Sequence, residues 1–196
     1  MTYKVGIAGY GVVGKRRHAA LEEIHDFKIT SVSDITFNDE NKPLHLNYYH
    51  DYRDLIKNED LDILFVSLPN NHAANATLLG LEKNLHVFCE KPPARTLSEL
   101  IPIKQHLEKT DLKLMYGFNH RFHSSVMHAK KIIDSGDLGE ILNLKGIYGK
   151  SKMISFNQTD WRTEREKSGG GILLDQGIHM LDLMNYFVGG FNDIFS

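Results

Sequence analysis

The sequence has very little cysteine and no long apolar run. Its 196 residues contain one cysteine, Cys89, which excludes an intramolecular disulfide and favours a reducing compartment. No stretch approaches the roughly eighteen consecutive apolar residues of a membrane-spanning helix, and the first residues lack the basic start of a signal peptide. We therefore expect a cytoplasmic protein without a membrane partner.

The chain also lacks an excess of charge of one sign. Its formal net charge is −2 and its sequence pI is about 6.6, so nothing in the composition favours a nucleic-acid partner. Eleven histidines are present but scattered. The tightest group, His120, His123 and His128, has no thiolate or carboxylate cluster beside it, so we expect surface or pocket lining and no metal site.

A glycine-rich turn follows the first apolar run, which ends at Ala8. The G-x-G-x-x-G spacing is typical of a strand that turns sharply into a helix. The second glycine leaves room for a pyrophosphate, and the third lets the helix pack closely on the strand. The helix N-terminus then attracts the anion. The dinucleotide-binding candidates of this turn are Gly9, Gly11, Val12, Val13 and Gly14.

Asp34 ends the second predicted strand, about twenty residues after the last glycine. A carboxylate there accepts hydrogen bonds from ribose hydroxyls and repels a 2′-phosphate, so NAD is the favoured cofactor. NADP stays the alternative, because the run Lys15, Arg16 and Arg17 could meet a phosphate. Two simpler interpretations also stay open: that Asp34 merely ends a strand, and that the glycines form an unrelated loop.

Short apolar runs alternate with helical segments through the first 118 residues. Strands are predicted over residues 3–8, 27–33, 46–49, 62–67, 85–89 and 112–117, and helices over 12–23, 52–57, 72–83 and 96–109. This alternation indicates βαβ units with right-handed crossovers. We predict an α/β fold, a doubly wound parallel Rossmann sheet, as an NAD(P)-binding domain over residues 1–118.

Polar residues collect directly after the predicted strands. In an open α/β sheet, ligands bind beyond the carboxyl ends of the strands, where the strand order reverses. These residues should therefore line one rim together with the glycine turn. The further cofactor-binding candidates are Asp34, Pro69, Asn70, His72, Glu90, Lys91 and Asn119.

The pattern changes after residue 119. A helix is predicted over residues 124–135 with Gly136 as its stop, then a strand over 138–148 and an irregular stretch over 151–168. Three glycines then precede a helical pattern over 172–183. We predict that residues 119–196 form an incomplete substrate and oligomerisation domain.

Several motifs occur together in this chain. They are Glu90-Lys91-Pro92, Asn119-His120-Arg121-Phe122, Trp161-Arg162, Gly169-Gly170-Gly171, and Asp175, Gly177, His179 and Asp182 at D-x-G-x-H-x-x-D spacing. With these motifs the chain resembles the glucose–fructose oxidoreductase, inositol dehydrogenase and rhizopine catabolism (Gfo/Idh/MocA) family. The resemblance implies an NAD(P)-dependent oxidoreductase that acts on a sugar, sugar nucleotide or cyclitol. Members are longer and commonly oligomeric, so we expect a fragment, a truncated gene product or an incompletely recorded sequence, and a homo-oligomer at full length.

The resemblance also implies roles for individual residues. His179 would accept the hydroxyl proton, and Asp175 would be its partner or a substrate anchor. The two stand four apart on a predicted helix, within reach of each other. Lys91 would hold the substrate oxygen. The substrate-binding candidates are Lys91, Arg121, Trp161, Arg162, Asp175 and His179, with Asn119 and His120 as further pocket residues.

Each assignment has a simpler alternative. Asp175 and His179 could be a surface pair, Lys91 an exposed turn residue, and Trp161 a core side chain. Cys89 is expected to be a buried strand residue. For the whole chain, the alternative is a dinucleotide-binding protein or inactive fragment without turnover. A metal-dependent hydrolase that uses Asp175 and His179 would leave the glycine turn unexplained.

Overall fold

The fold is built on one six-stranded parallel sheet. The computed structural model describes residues 2–149 and 161–195. The strands lie in the order β3-β2-β1-β4-β5-β6. This order is that of a doubly wound Rossmann sheet, which confirms the predicted fold class. The strands are β1 (Tyr3–Ala8), β2 (Phe27–Ser33), β3 (Asn47–Tyr49), β4 (Ile63–Val66), β5 (His86–Cys89) and β6 (Leu114–Tyr116).

Helices connect the strands and continue beyond them. They are α1 (Val12–Glu22), α2 (Tyr52–Asn58), α3 (Asn70–Glu82), α4 (Leu97–Leu107), α5 (Ser124–Ser135), α6 (Arg165–Ser168) and α7 (Ile178–Val188). Two 3₁₀ turns, Asn119–Phe122 and Trp161–Thr163, and one π-helical turn, Leu173–Gly177, lie in the second half of the chain. No helix in the two described ranges is long and apolar enough to cross a bilayer.

Helices cover both faces of the sheet, which explains why its central strands β1 and β4 are largely apolar. Side chains alternate between faces along a strand. Val5 and Ile7 of β1 therefore belong to one buried cluster, and Ala8 belongs to the other. The side chains of β4 alternate in the same way, and Leu64 and Val66 belong to the cluster that contains Ala8. Strands buried on both sides need no polar alternation.

The turn after β1 is closely packed, and its glycines have separate roles. Gly9 has a φ of +89°, and a Cβ on it would lie 2.5 Å from the carbonyl oxygen of Ser67. A Cβ on Gly14 would lie 2.0 Å from the carbonyl oxygen of Gly9, so only glycine lets α1 approach β1. Gly11 has open space around it. This turn lies beside β4, where the strand order reverses.

The strand predicted over residues 138–148 is wrong. This stretch follows α5, which ends at Gly136 with a φ of +77°, and it runs without secondary structure. A β-strand needs a neighbour for its ladder hydrogen bonds, and none of the described residues pairs with this stretch. Leu142 and Ile147 consequently stay 90% and 83% exposed. Residues 151–160 of the predicted irregular stretch lie outside the described residues.

Buried contacts attach the second half of the chain to the Rossmann sheet. The side-chain amide of Asn70, at the start of α3, donates a hydrogen bond of 2.8 Å to the carbonyl oxygen of Ser168. The Arg95 guanidinium donates to the carbonyl oxygen of Glu166. Gly169 follows with a φ of +88°, and a Cβ there would lie 2.7 Å from that of Arg95. These contacts hold α6 against the carboxyl edge of the sheet.

The glycine turn generates a stability prediction. Gly14→Ala should lower the free energy of unfolding by about 2 kcal/mol, because its Cβ would overlap the Gly9 carbonyl group. Gly11→Ala is the matched control and should cost less than about 1 kcal/mol, since nothing lies within 4 Å of its Cβ position. Urea unfolding followed by circular dichroism measures both variants. Equal losses would contradict the packing described for the turn.

Candidate active site

A cavity of about 740 Å³ lies along the carboxyl ends of the strands. Its volume is in the range typical of small-molecule and cofactor sites. Thirteen residues predicted for the site line this cavity, which gathers residues from both halves of the chain. They are Gly9, Gly11, Val12, Val13, Asp34, Pro69, Asn70, His72, Glu90, Lys91, Trp161, Arg162 and Asp175.

Five predicted site or pocket residues are not among those that line the cavity: Gly14, Asn119, His120, Arg121 and His179. Gly14 packs beneath the turn against Gly9. Asn119 is exposed in the 3₁₀ turn after β6, and Arg121 of the same turn forms an ion pair with Asp182. His179 is buried in a cluster of aromatic rings.

Several lining residues were absent from the sequence prediction. They are Ser33, Ile35, Thr36, His50, Asp51, Tyr52, Arg53, Ser67, Leu68, Asn71 and Lys167. Most of them follow the carboxyl ends of β2, β3 and β4. The rule that placed Asp34 on the rim would also have found the group from His50 to Arg53.

The carboxylate of Asp34 is held in place by the backbone around it. The Tyr10 N–H donates to Oδ2 at 3.0 Å, and the backbone N–H and hydroxyl of Thr36 donate to Oδ1 at 2.9 and 2.6 Å. Three hydrogen bonds fix the carboxylate beside the glycine turn. An ionised carboxylate has about four acceptor positions, so one is left for a ligand hydroxyl.

The glycine turn and α1 together can accept a phosphate group. The space beside Gly11 is open, so backbone can approach a ligand there. α1 starts at Val12 without a side-chain cap, which leaves its first N–H groups directed at the cavity. These features fit a dinucleotide pyrophosphate.

Arg17, in the basic run after the glycine turn, is paired with an acidic residue of the cavity wall. Its Nε donates to Glu90 Oε1 at 2.6 Å, and its guanidinium lies 4.9 Å from the ring centre of Phe88. The basic run after the glycine turn therefore contributes one member to a structural ion pair. This pair links α1 to the residue that precedes Lys91.

Lys91 and Asp175 form the central ion pair of the site. Lys91 Nζ donates to Asp175 Oδ1 at 2.9 Å and to its carbonyl oxygen at 2.6 Å, and each side chain is only 17% exposed. Gln176 Nε2 donates to the other carboxylate oxygen at 2.8 Å. Burial acts to raise the pKa of Asp175, but the hydrogen bonds from Gln176 and Lys91 outweigh it and hold the pKa below its usual value.

The structure differs from the predicted pairing of Asp175 with His179. Asp175 lies in the π-helical turn Leu173–Gly177, whose i→i+5 hydrogen bonds widen the helix. Residues four apart then no longer lie one above the other as they do in an α-helix. The Asp175 carboxylate accepts hydrogen bonds from Lys91 and Gln176. The imidazole ring of His179 makes no hydrogen bond within the described residues.

His179, near the start of α7, is 6% exposed and stacks on another histidine. Its ring centre lies 4.0 Å from that of His120, with 13° between the planes. Nδ1 is buried and has no hydrogen-bond partner. Burial is the main cause that lowers the pKa of His179 to about 4, and the charges of His120 and Lys91 add to it. His179 is therefore neutral near neutral pH.

Arg121 anchors the 3₁₀ turn to α7. Its Nε donates to Asp182 Oδ2 at 2.8 Å, and a second nitrogen donates to the other oxygen. The guanidinium also lies 5.2 Å from the ring centre of Tyr186. This bidentate pair holds the turn that carries His120 against the helix that carries His179. Within the described ranges, no group of three or more His, Cys, Asp or Glu residues could hold a metal ion.

Comparison with known proteins gives a family for both halves of the chain. Residues 3–118 match the GFO/IDH/MocA model described as an oxidoreductase family with an NAD-binding Rossmann fold. Residues 126–194 match the GFO/IDH/MocA C-terminal domain.

Individual relatives agree with the family models. Levoglucosan dehydrogenase of Pseudarthrobacter phenanthrenivorans is 31% identical over 76% of this chain and 38% of its own length. Glucose-6-phosphate 3-dehydrogenase of Bacillus subtilis is 31% identical over 93% of this chain and 53% of its own. A solved levoglucosan dehydrogenase complex with NADH and L-sorbose superposes with a TM-score of 0.79 at 26% identity, covering 97% of this chain and 54% of that one. The chain thus spans about half the length of most relatives it matches.

The buried His179 generates a pH prediction. Its pKa is about 4 in the folded chain against an ordinary 6.5, so the unfolded chain binds a proton over this range and the folded chain does not. Stability should therefore fall as the pH falls from 6.5 towards 4, by about 2 to 3 kcal/mol. Urea unfolding at several pH values measures the loss.

Two variants test the assignment of that loss to His179. His179→Asn should show a smaller loss of stability over this pH range, because the group that resists protonation is gone. His128→Asn, at an exposed position of α5, is the matched control and should keep the wild-type pH dependence. An unchanged pH dependence in His179→Asn would contradict the assignment.

Proposed function

We propose a function on this premise: the chain belongs to the GFO/IDH/MocA oxidoreductase family. The chain, within its whole protein, moves a hydride between NAD and a secondary hydroxyl carbon of a sugar, sugar nucleotide or cyclitol. The observation that carries this proposal is the cavity that joins the glycine turn and Asp34 to the Lys91–Asp175 ion pair. A dinucleotide region and a polar reaction region thus share one space.

The residues of the rim fit the dinucleotide. The glycine turn and the N-terminus of α1 would hold the pyrophosphate, and Asp34 would accept a ribose hydroxyl. Pro69, Asn70 and His72 line the same cavity at the start of α3. When bound, the nicotinamide ring accepts or supplies the hydride.

Lys91 is the substrate-holding group in this proposal. Its ammonium lines the cavity and can donate a further hydrogen bond to a hydroxyl or carbonyl oxygen, because it has three protons. Asp175 fixes the direction of that ammonium through two hydrogen bonds from it. A cation held in a half-buried site stabilises negative charge that develops on the substrate oxygen.

His179 is the proton acceptor in this proposal. The neutral imidazole that burial imposes is the form that can take a hydroxyl proton. Nδ1 is buried, so we assign the acceptor role to Nε2. Trp161 and Arg162, which also line the cavity, would contact the rest of the substrate.

The alternative function is dinucleotide binding without turnover. It is favoured by the position of His179, which is not among the residues that line the cavity. A chain of this kind would bind NADH and leave polyols unchanged.

The remaining proposals concern organisation. Residues 1–118 would form the NAD(P)-binding domain, and residues 119–196 would belong to the domain for substrate and subunit contacts. A homo-oligomer of the whole protein is supported by exposed apolar side chains in the second region, among them Leu142, Ile147 and Phe195. The single, unpaired cysteine supports a cytoplasmic location.

Two variants test the catalytic roles. Lys91→Met and His179→Asn should each lower kcat/KM on a panel of sugars and cyclitols by about 10²-fold or more, because each removes a group that acts on the reacting oxygen. Lys109→Met, at an exposed position after α4, is the matched control and should keep the wild-type rate. NADH fluorescence, recorded on the same samples, should show that His179→Asn still binds the cofactor. Wild-type turnover in both variants would remove the assignment, and binding without turnover in the wild type would favour the alternative function.

Asp34 generates a prediction about cofactor choice. Asp34→Ser should weaken NAD binding by about tenfold, since it loses an ionised hydrogen-bond acceptor. The same change should improve NADP binding, because the repulsion of a 2′-phosphate is removed. Titrations of both reduced cofactors, followed by fluorescence, measure the ratio. An unchanged ratio would show that Asp34 does not contact the ribose. Asp39→Ser, an exposed neighbour on the same connection, is the control.

A further inference from the structure

Two imidazole rings lie face to face beside the proposed reaction site. His120 comes from the 3₁₀ turn after β6, and His179 comes from α7. Their ring centres are 4.0 Å apart and their planes differ by 13°. The aromatic group is completed by Phe118, edge-on to His179 at 6.4 Å, and by Tyr148, at 5.7 Å from His120.

We propose that His120 is a positioning residue for His179: its stacked ring orients the His179 imidazole and keeps a proton off it. This inference rests on the proposed function, in which His179 accepts the substrate proton. Neither histidine is among the residues that line the cavity, and in this inference His120 acts through its ring contact with His179.

The His179 ring is oriented by ring contacts and not by a hydrogen bond. In many enzymes, a catalytic histidine is oriented by a hydrogen bond that its second nitrogen donates to a carboxylate or carbonyl group. Here Nδ1 of His179 is buried without such a partner. The flat face of His120 and the edge of Phe118 are the contacts that define the plane of the ring. Stacking thus takes the place of the orienting hydrogen bond.

The stacked histidine rings also affect each other's charge. Two parallel imidazolium rings at 4.0 Å would place their positive charges face to face, so the pair holds one proton much more readily than two. Other groups face the pair and set the balance of charge. They are Lys91 and the imidazole of His123 on one side of the balance, and the carboxylates of Asp175 and Asp182 on the other.

The exposure of the two rings decides which one takes that proton. His120 is half-buried and His179 is fully buried, so His120 is the better site for a charge. Burial lowers the pKa of both rings, and it brings the pKa of His179 to about 4. Because His120 is the more exposed ring, a proton that reaches the pair goes to His120 first, and His179 stays neutral.

Imidazole NMR titration of the full chain tests this inference without any cofactor or substrate. In His120→Phe the flat ring stays and the nitrogens are lost, so the pKa of His179 should rise by about 1 as a positive neighbour is removed. In His120→Ala the cover is lost as well, and the pKa should rise further. His128→Phe, the matched control on the exposed face of α5, should leave the His179 curve unchanged. The His179→Asn spectrum assigns the signal.

The outcomes separate the inference from a merely structural role. Unchanged His179 titration in both His120 variants, with native circular dichroism, would overturn it. The acid limb of the kcat/KM profile should shift upward in His120→Phe while the rate at high pH stays near wild type; an equal loss at every pH would overturn it as well. Should the wild-type chain show no turnover, the proposed function fails while the NMR titration still decides the role of His120.

Discussion

The buried ion pair between Lys91 and Asp175 is the interaction on which the site depends. It joins residues 84 positions apart, one after β5 and one in the π-helical turn. Both side chains are largely removed from water, so each charge needs the other to offset its lost hydration. The pair therefore holds the second half of the chain across the carboxyl edge of the Rossmann sheet. It also leaves an oriented ammonium at the wall of the cavity.

Burial acts on the acidic and basic groups of this site with different results. Asp175 is kept ionised because Gln176 and Lys91 donate hydrogen bonds to it. His179 is kept neutral because burial opposes the charged form of its ring, and the charges of His120 and Lys91 add to that effect. A fixed cation beside a neutral imidazole is the combination that the proposed oxidation of an alcohol would use. The surroundings of the two side chains, more than their residue type, determine these protonation states.

Much of the first half of the chain could be predicted, because its signals are local. The period of apolar residues located all six strands and the four helices between them, and the glycine spacing identified the turn. The rule for strand ends correctly placed Asp34, Glu90 and Lys91 on one rim. It was wrong for Asn119, which follows β6 and does not line the cavity, and the residues after β3 were missed. The second half of the chain was predicted less well. The strand predicted over residues 138–148 does not form, because none of the described residues pairs with it.

The Rossmann sheet, the glycine turn and most of the polar rim could be read from the amino-acid sequence, since each depends on neighbours within a few residues. The contacts among Lys91, Asp175 and His179 required the folded chain. The π-helical turn places the Asp175 carboxylate next to Lys91. The ion pair between Arg121 and Asp182 holds the turn that carries His120, whose ring stacks on that of His179. These contacts depend on how distant segments pack and on one extra residue in a helical turn, and helical periodicity carries no signal for either.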